Sequence, residues 1–472
     1  MENRKSITAK EIIEICKGEL ILGNKDKEIK SFSNDTRTLK KGEMYIGIKG
    51  ETVDGNTFYK QALELGAVGC IVQDIEIEND VKEKYNDRII IKVEDTIKAL
   101  QELAKYKRSK YNIPVIAVTG SVGKTSTKDI IASVMKEKFN VLKTSGNFNN
   151  HIGLPLTILK LEEHDAMVIE MGMNHFGEIS LLTKIAKPTV AVLTNIGTAH
   201  IGILGSRENI LKAKLEILEG MEENAPIIIN NDNDLLHKWG EENKEEHKII
   251  TYGIENKSDY MATNIKRKCD GSIFDTYINN TKHEMEVAVG GDHFIYNSLA
   301  GIAIGNLFKI EPEKIKSGIK NFELTKRRME ILKFTNDVTL INDSYNASYD
   351  SVKPAIEYLG KTDGNRKIAV LGDMLELGKY SKELHEKVGE EVEKNKIDLL
   401  VAVGELSKYI SEKARKLGMN NENIIECKDS EEAGKKLKEI IQKGDTILLK
   451  ASNAMKFNKI VEELNYGGNK HE

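Results

Sequence analysis

The stretch "PVIAVTGSVGKTSTKDII", Pro114 to Ile131, places an apolar run directly before two glycines and a Gly-Lys-Thr. A buried strand that feeds a glycine turn opening a helix aims backbone N–H groups and the positive helix end at one point, where phosphate oxygens can sit. The commonest phosphate loop has four residues between its first glycine and the Gly-Lys pair, whereas Gly120 and Gly123 are separated by two. The loop Thr119, Gly120, Ser121, Val122, Gly123, Lys124, Thr125 and Ser126 is the candidate nucleotide site. Lys124 would reach the β and γ phosphates, and the Thr125 or Ser126 hydroxyl would ligate magnesium. A tight turn with a capped helix is the bland alternative. It leaves the coincidence of apolar strand, paired glycines, Gly-Lys-Thr and helix unexplained.

Three further residues could share that chemistry. Glu170 ends the apolar run of "AMVIEMGMNHFGEIS", where a strand's C-terminal end would offer magnesium a hard oxygen. His200 follows another strand end in "TVAVLTNIGTAHIG", although a lone histidine is more often structural than a ligand. Lys214 lies in "SRENILKAKLEILEGM". At about 100° per residue, Ile210, Leu211, Ile217, Leu218 and Met221 form an apolar stripe, and Lys214 falls inside it. Lys212, Glu216 and Glu219 occupy the other face. Snorkelling, with an apolar stem and an exposed ammonium, is the ordinary explanation for such a lysine.

Positioning these residues takes a large scaffold. The 472 residues, 40% of them hydrophobic, exceed one ordinary domain, and three are expected. Residues 1–110 alternate short helical and strand patterns as a small α/β unit, with "TAKEIIEIC" and "EDTIKALQELAKYK" helical and "EMYIGI" and "VGCIVQD" extended. From Pro114, the runs "VIAV", "AMVIEM", "TVAVLTNIG" and "APIIIN" alternate with helical stretches in a doubly wound pattern. Residues 259–289 change to strand-turn-strand, and "HFIYNSLAGIAIGNLF" reads as a helix rich in small residues. Beyond Phe322 the alternation returns, with strands at "VTLIND", "KIAVLGDM", "DLLVAVGE" and "DTILLK". The expected fold is α/β in three domains. A small α/β N-terminal domain spans 1–110, a central phosphate-loop ATPase domain with a mostly parallel sheet spans 111–322, and a C-terminal Rossmann-like domain spans 323–472. "GEENKEEHK" reads as a solvated surface loop.

Charged residues make up 31% of the chain but nearly cancel to a net −4, so no whole-chain field draws nucleic acid or an anionic membrane. Cys16, Cys70, Cys269 and Cys427 are dispersed, without the spacing of a zinc site or a disulfide framework, as suits a reducing compartment. The first twenty residues lack the apolar core of a secretory signal, and no run approaches the ~20 apolar residues of a membrane span. A soluble, cytoplasmic protein is expected.

Together, "TGSVGKTS", "GNFNNHIGLP", Glu170, His200, "KAKLEI", "NDSYNAS" and "LGDMLELG" resemble the Mur ligase family, ATP-dependent amide-forming enzymes of peptidoglycan precursor synthesis. The resemblance covers nearly the whole chain. "EMGMNHFGEI", "NDSYNAS" and "GDMLELG" look most like the member that joins D-alanyl-D-alanine to a UDP-N-acetylmuramoyl-tripeptide. The shortened loop is that family's form of the phosphate loop. The resemblance implies ATP and Mg2+, with transfer of the γ-phosphoryl to the tripeptide carboxylate and attack of the D-alanyl-D-alanine amine on the acyl phosphate. It implies Glu170 and His200 at metal-binding positions with Thr125, and Lys214 as a lysine carried as a carbamate.

Further residues are implied in the same way. Asn297 in "HFIYNSLAG" matches an adenine-contacting asparagine, although Phe294 stands where relatives often have Asn. Arg328 and Asp343 match C-terminal residues that meet the nucleotide; for Asp343 an Asx turn after "VTLI" is the alternative. Asp35, Thr36, Arg37, Gly50, Asp54 and Gly55 match the segment that binds the uridine diphosphate, Thr36 replacing a common Ser. One departure is larger: "KASNAMKF" stands for Lys-Gly-Ser-Arg-x-Met-x-Met, with Ala451, Asn453 and Phe457 replacing the Gly, Arg and last Met. No nucleic-acid partner, no stable membrane association and a monomer are expected. The rivals are another Mur-type ligase, a folylpolyglutamate-type ligase, and a nucleotide-gated binding module without chemistry.

Overall fold

Apolar runs bounded by glycine, asparagine and charged residues become strands along the whole chain, and the amphipathic stretches between them become helices. The computed structural model describes residues 6–268, 270–334 and 337–465. Cys269 lies outside the described residues; Cys16, Cys70 and Cys427 are free thiols. The chain divides into two compact units, one of Met1–Ala117, Phe139–Ala191 and Leu215–Ala225, the other of Val118–Lys138, Val192–Lys214 and Pro226–Glu472.

The first unit contains a five-stranded sheet in the order Glu19–Leu22, Ile89–Lys92, Gly69–Val72, Met44–Ile46, Phe32–Ser33. Only the Glu19–Leu22 edge is antiparallel. The helix Tyr59–Glu64 buries Tyr59, Ala62 and Leu63 in a core with Cys70 and Val72. Asp95 starts the helix Thr96–Ser109 by accepting from the N–H groups of Ile97 and Lys98, a cap contributing about 1 kcal/mol. The strands Val141–Lys143 and Ala166–Glu170 pair in parallel in this unit, every residue of the latter being buried.

The other strands of the central stretch are Val115–Thr119, Val190–Leu193, Ile227–Asn230, Ile249–Gly253 and Tyr260–Met261. The last three pair in parallel within the second unit. There the expected strand-turn-strand region forms an antiparallel trio, Thr263–Lys268, Gly271–Ile278 and Thr281–Val287. The helix Asp292–Leu307 follows, with Gly301 and Gly305 against Ile130, Ile315 and Val134 so closely that added methyl groups would lie 2.8 and 2.7 Å from the nearest atoms. The C-terminal sheet has six strands, in the order Glu330–Lys333, Thr339–Asn342, Thr446–Lys450, Lys367–Gly372, Leu399–Val403, Ile424–Cys427. All its pairings but the first are parallel.

One sequence expectation needs correction. The segment "GEENKEEHK" is solvated, but Gly240–Asn243 complete the helix Asp234–Asn243, because Asn233 caps its start and Leu236 and Gly240 give it a buried face. Among the described residues, no helix is long and apolar enough to cross a membrane.

Candidate active site

The glycine loop joins the strand Val115–Thr119 to the helix Lys124–Lys136, as its sequence requires. Gly120 has φ +153°, and a methyl group on it would lie 1.9 Å from the Thr194 hydroxyl oxygen, so no larger residue fits. Gly123, at φ +80°, is the N-cap of the helix. The segment Thr194–Gly197 braces the loop from beside it. Asn195 accepts from the backbone N–H of Val122 through its side chain (2.9 Å) and of Ser121 through its carbonyl (3.0 Å). Thr194 donates to the Val122 carbonyl (2.6 Å), and the Gly197 N–H donates to the Ser121 hydroxyl (2.9 Å). Lys124 folds its ammonium back onto the carbonyls of Gly120 (2.8 Å) and Ser121 (3.3 Å), holding a positive charge at the mouth of the loop.

Residues far along the chain reach the same loop. Asn297 accepts from the Thr127 hydroxyl (2.9 Å), and its Oδ1 is the atom nearest the position a methyl on Gly123 would take. Arg328 donates to the Thr125 hydroxyl (3.3 Å) and lays its guanidinium 4.1 Å from the centre of the Tyr345 ring. The buried Asn297 amide nitrogen and Arg328 Nε have no hydrogen-bond partner. Unsatisfied buried donors are costly, and two of them on residues that touch a phosphate loop fit an acceptor-rich ligand such as a nucleotide.

Asp343 makes no Asx turn. Its carboxylate accepts from the Met329 N–H (3.2 Å) and from Lys450 (2.6 Å), both buried at the end of the C-terminal sheet. The neighbouring His293 is held down to about 4, chiefly by burial; Lys450 pushes the same way and Asp343 opposes.

Lys214 does not snorkel. It is 2% exposed on the helix Arg207–Leu215, beside the buried Ile210 and Ala213. Among the described residues, no hydrogen bond or ion pair reaches it. Burial, and secondarily the positive charge of Lys124, drives its pKa well below the ordinary lysine value. His200 sits at φ +63° ahead of the short helix Ile201–Leu204, with Nδ1 2.6 Å from a Glu376 carboxylate oxygen. Glu170, in the other unit, is buried at its strand end; its carboxylate accepts from the Asn149 amide (2.7 Å) and its N–H donates to Thr144 (3.1 Å). Its oxygens are of the hard kind that magnesium prefers. No group of three or more His, Cys, Asp or Glu placed to hold a metal occurs among the described residues.

The residues expected at the uridine end form one turn-rich segment of the first unit. Arg37 and Asp35 pair at 2.6 Å, with Arg37 almost fully exposed, and Thr36 donates to Gln61 (3.2 Å). Asp54 caps the turn Gly55–Phe58 through the Asn56 N–H (2.9 Å). The Gly50 N–H donates to Val53 (3.0 Å), and Gly55 passes so near Ile48 that an added methyl would lie 2.5 Å from its carbonyl oxygen. At the other end of the chain, the departures have local roles: Ala451 and Phe457 are core residues packed against Gly372, and Asn453 accepts from Arg327 (3.1 Å).

Several contact residues escaped sequence reasoning. Asn195 and Thr194 lay in a segment read only as a strand end. Asn149 lay in the quoted "GNFNNHIGLP" without an assigned role, and Lys450, Asp350 and Glu376 act on partners more than 100 positions away.

Comparison with known proteins places the chain. Residues 28–108 match the Mur ligase family, catalytic domain; residues 118–305 match the Mur ligase middle domain; and residues 327–453 match the Mur ligase, glutamate ligase domain. The chain belongs to the Mur ligase family of ATP-dependent ligases, with that family's N-terminal, central and C-terminal α/β domains. It is 38% identical over 460 residues to the UDP-N-acetylmuramoyl-tripeptide--D-alanyl-D-alanine ligase of Bacillus subtilis, covering 97% of this chain and 98% of that protein. A crystal structure of MurF from Acinetobacter baumannii superposes with a TM-score of 0.85 at 29% identity, covering 97% of this chain and 98% of that one. MurF ligase from Thermotoga maritima, solved in complex with ADP, gives 0.78 at 29% identity, with 93% and 98% covered.

Proposed function

We propose that the protein joins D-alanyl-D-alanine to UDP-N-acetylmuramoyl-tripeptide at the expense of ATP, giving the pentapeptide precursor of peptidoglycan, ADP and phosphate. The observation that carries the reading is Lys214, buried without a partner and subject to the charge of Lys124, in a chain whose whole length matches ligases of that name. A carboxylate is a poor electrophile. One oxygen of the tripeptide carboxylate attacks the γ-phosphorus, the bond to the β,γ-bridging oxygen breaks, and ADP leaves. The dipeptide amine then adds to the carbonyl carbon of the acyl phosphate, loses a proton, and expels phosphate as the amide forms.

The chain's own residues take defined parts in this reading. Lys124, moving from the loop carbonyls to the phosphates, and Arg328 neutralise the oxygens that gain charge during transfer. Thr125, Glu170 and His200 would hold magnesium, and Lys214, as its carbamate, would supply an anionic oxygen. The ion, when bound, screens phosphate charge and orients the γ-phosphoryl group. Asn297 contacts the adenine and Asp343 the nucleotide. Asp35, Thr36, Arg37, Gly50, Asp54 and Gly55 receive the uridine diphosphate. The domains run 1–110, 111–322 and 323–472, each containing one of the three matched segments. The protein works as a cytoplasmic monomer, a reading supported by small soluble substrates and balanced charge.

Incubating the protein with ATP, magnesium, D-alanyl-D-alanine and either the diaminopimelate- or the lysine-containing UDP-tripeptide tests the reading by product mass. Gain of one dipeptide less water on either acceptor is expected; no gain on both overturns it. Lys124→Ala should retain its fold and lose turnover by about 10²–10³-fold, the effect of removing one charge-stabilising donor. Near-parental phosphate release by that variant would remove the loop from the reaction.

A further inference from the structure

The loop that carries His200 is gripped on both sides by the C-terminal part of the chain. On one side Asp350, in the first turn of the helix Tyr349–Lys361, accepts from both the N–H and the hydroxyl of Thr198, each at 2.6 Å. Its carboxylate lies where a side chain on Gly197 would go, 2.4 Å from the added methyl position. On the other side is the turn after the strand Lys367–Gly372. The Gly202 N–H donates to the Glu376 carbonyl (3.1 Å), and the Tyr380 hydroxyl donates to the Gly205 carbonyl (2.8 Å). The backbones of Gly202 and Gly378 approach so closely that a methyl on Gly202 would sit 2.5 Å from the Gly378 nitrogen. From this turn the Glu376 carboxylate meets His200 Nδ1 at 2.6 Å.

His200 and Glu376 both have φ +63°, a left-handed conformation that non-glycine residues seldom adopt and that persists only where surrounding contacts enforce it. Stability does not account for the pair. The Glu376 side chain is 48% exposed, and ion pairs at such sites contribute little. A carboxylate only accepts hydrogen bonds, so the contact places a ring proton on Nδ1, and in the neutral imidazole the lone pair is then on Nε2. A carboxylate behind a ligating imidazole fixes its tautomer and orientation and raises its basicity.

We infer that Glu376 is a positioning residue. Delivered by the turn 374–380, it sets His200 in the Nδ1–H tautomer and presents Nε2 to the metal–phosphate end of the site. This rests on the proposed role of His200. The C-terminal domain thereby supplies more than nucleotide contacts, since without its turn the imidazole ligand has no fixed proton.

Nitrogen-15 NMR of histidine-labelled protein, with His200→Gln used to assign the signal, reads the tautomer directly. The parent should show Nδ1–H at His200, and Glu376→Ala should move the ring toward the Nε2–H form that free imidazole side chains favour. Glu376→Gln keeps a carbonyl acceptor and should retain most of the parental signal. Mn2+ titration by electron paramagnetic resonance, with ADP present, should show affinity weakened about 10–100-fold in Glu376→Ala, with kcat lowered similarly and KM for ATP little changed. Full activity of His200→Ala would overturn the role of His200 itself. An unchanged tautomer in Glu376→Ala, with His200→Ala inactive, would overturn this inference alone.

Discussion

Lys214, on the helix Arg207–Leu215, and Lys450, at the end of the strand Thr446–Lys450, are each 2% exposed, yet their ammonium groups meet opposite surroundings. Lys450 donates to the Asp343 carboxylate at 2.6 Å and to the carbonyls of Asn346 and Asp343 at 3.1 and 3.3 Å. Burial lowers its pKa and Asp343 pulls it back up. Lys214 has burial and the like charge of Lys124, and among the described residues no opposite charge counters them. An isolated buried charge costs several kcal/mol, and such a group shifts its pKa and neutralises instead. The paired lysine is a cationic strut that fixes Asp343 and the turn after it. In the proposed reading the unpaired one, its ammonium disfavoured by burial and by Lys124, is the amine that adds CO2, which an ammonium cannot do.

The largest effect should come from exchanging one kind of lysine for the other. Lys214→Arg imposes a permanent cation on the unpaired site and should lower turnover by at least about 10²–10³-fold, the range for a lost charge-stabilising group. Lys214→Ala should fall as far, but acetate in the buffer should partly restore it by occupying the vacated anionic position, with no rescue of Lys214→Arg. Steady-state phosphate release with and without acetate measures both. A Lys214→Arg protein as active as the parent would make the two lysines equivalent and remove the carbamate.

At Lys450 the effect should appear in stability. Lys450→Met leaves the buried Asp343 carboxylate without its counter-charge, and breaking a buried pair from one side costs about 3–5 kcal/mol. Hydrogen exchange of the strand amides Thr446–Lys450, read by mass spectrometry, should speed up by the matching factor. Unchanged protection there would show that the pair adds nothing to the C-terminal sheet.

The contrast between these lysines explains how far the sequence could be read. The phosphate loop is local: strand, glycines and helix lie within Pro114–Ile131, and the structure keeps them in that order. The oddity of Lys214 is also local, because helical periodicity exposes a lysine in an apolar stripe, though only packing could decide between snorkelling and burial. Most strands were legible from their apolar runs. Glu19–Leu22, Phe32–Ser33, Ile89–Lys92, Val141–Lys143, Ile249–Gly253, Glu330–Lys333 and Ile424–Cys427 were not read as strands, since runs of two to five residues, most of them at sheet edges, carry little periodic signal. The Asx turn considered for Asp343 gave way to Lys450, which lies 107 positions on. Likewise His200 meets Glu376 across 176 positions and Thr198 meets Asp350 across 152. Pairings of that range are set by topology, and no local pattern encodes them.

The smallest expected effect is the one that separates the two lysines most cleanly. Lys214→Met, inactive by the argument above, should raise thermal stability while Lys450→Met lowers it, because the first removes a buried group with no partner and the second orphans one. A gain of about 1–2 kcal/mol is the usual return for relieving a functional strain of this kind. The sign of its pH dependence follows from proton linkage. The folded pKa of Lys214 lies well below the 10.5 of a free side chain, so between those values the unfolded chain binds the extra proton and parental stability rises with pH. The advantage of Lys214→Met should therefore be greatest below the folded pKa and shrink as pH climbs toward 10.5. Unfolding midpoints of parent and variant, compared pairwise in CO2-free buffers from neutral pH upward, cancel every other titrating group. Added bicarbonate should then stabilise the parent and leave Lys214→Met unmoved, since carbamylation would convert the unpaired amine into an anion facing Lys124. A variant less stable than the parent at every pH would mean that Lys214 has a compensating partner in the folded protein, and that its burial is structural like that of Lys450.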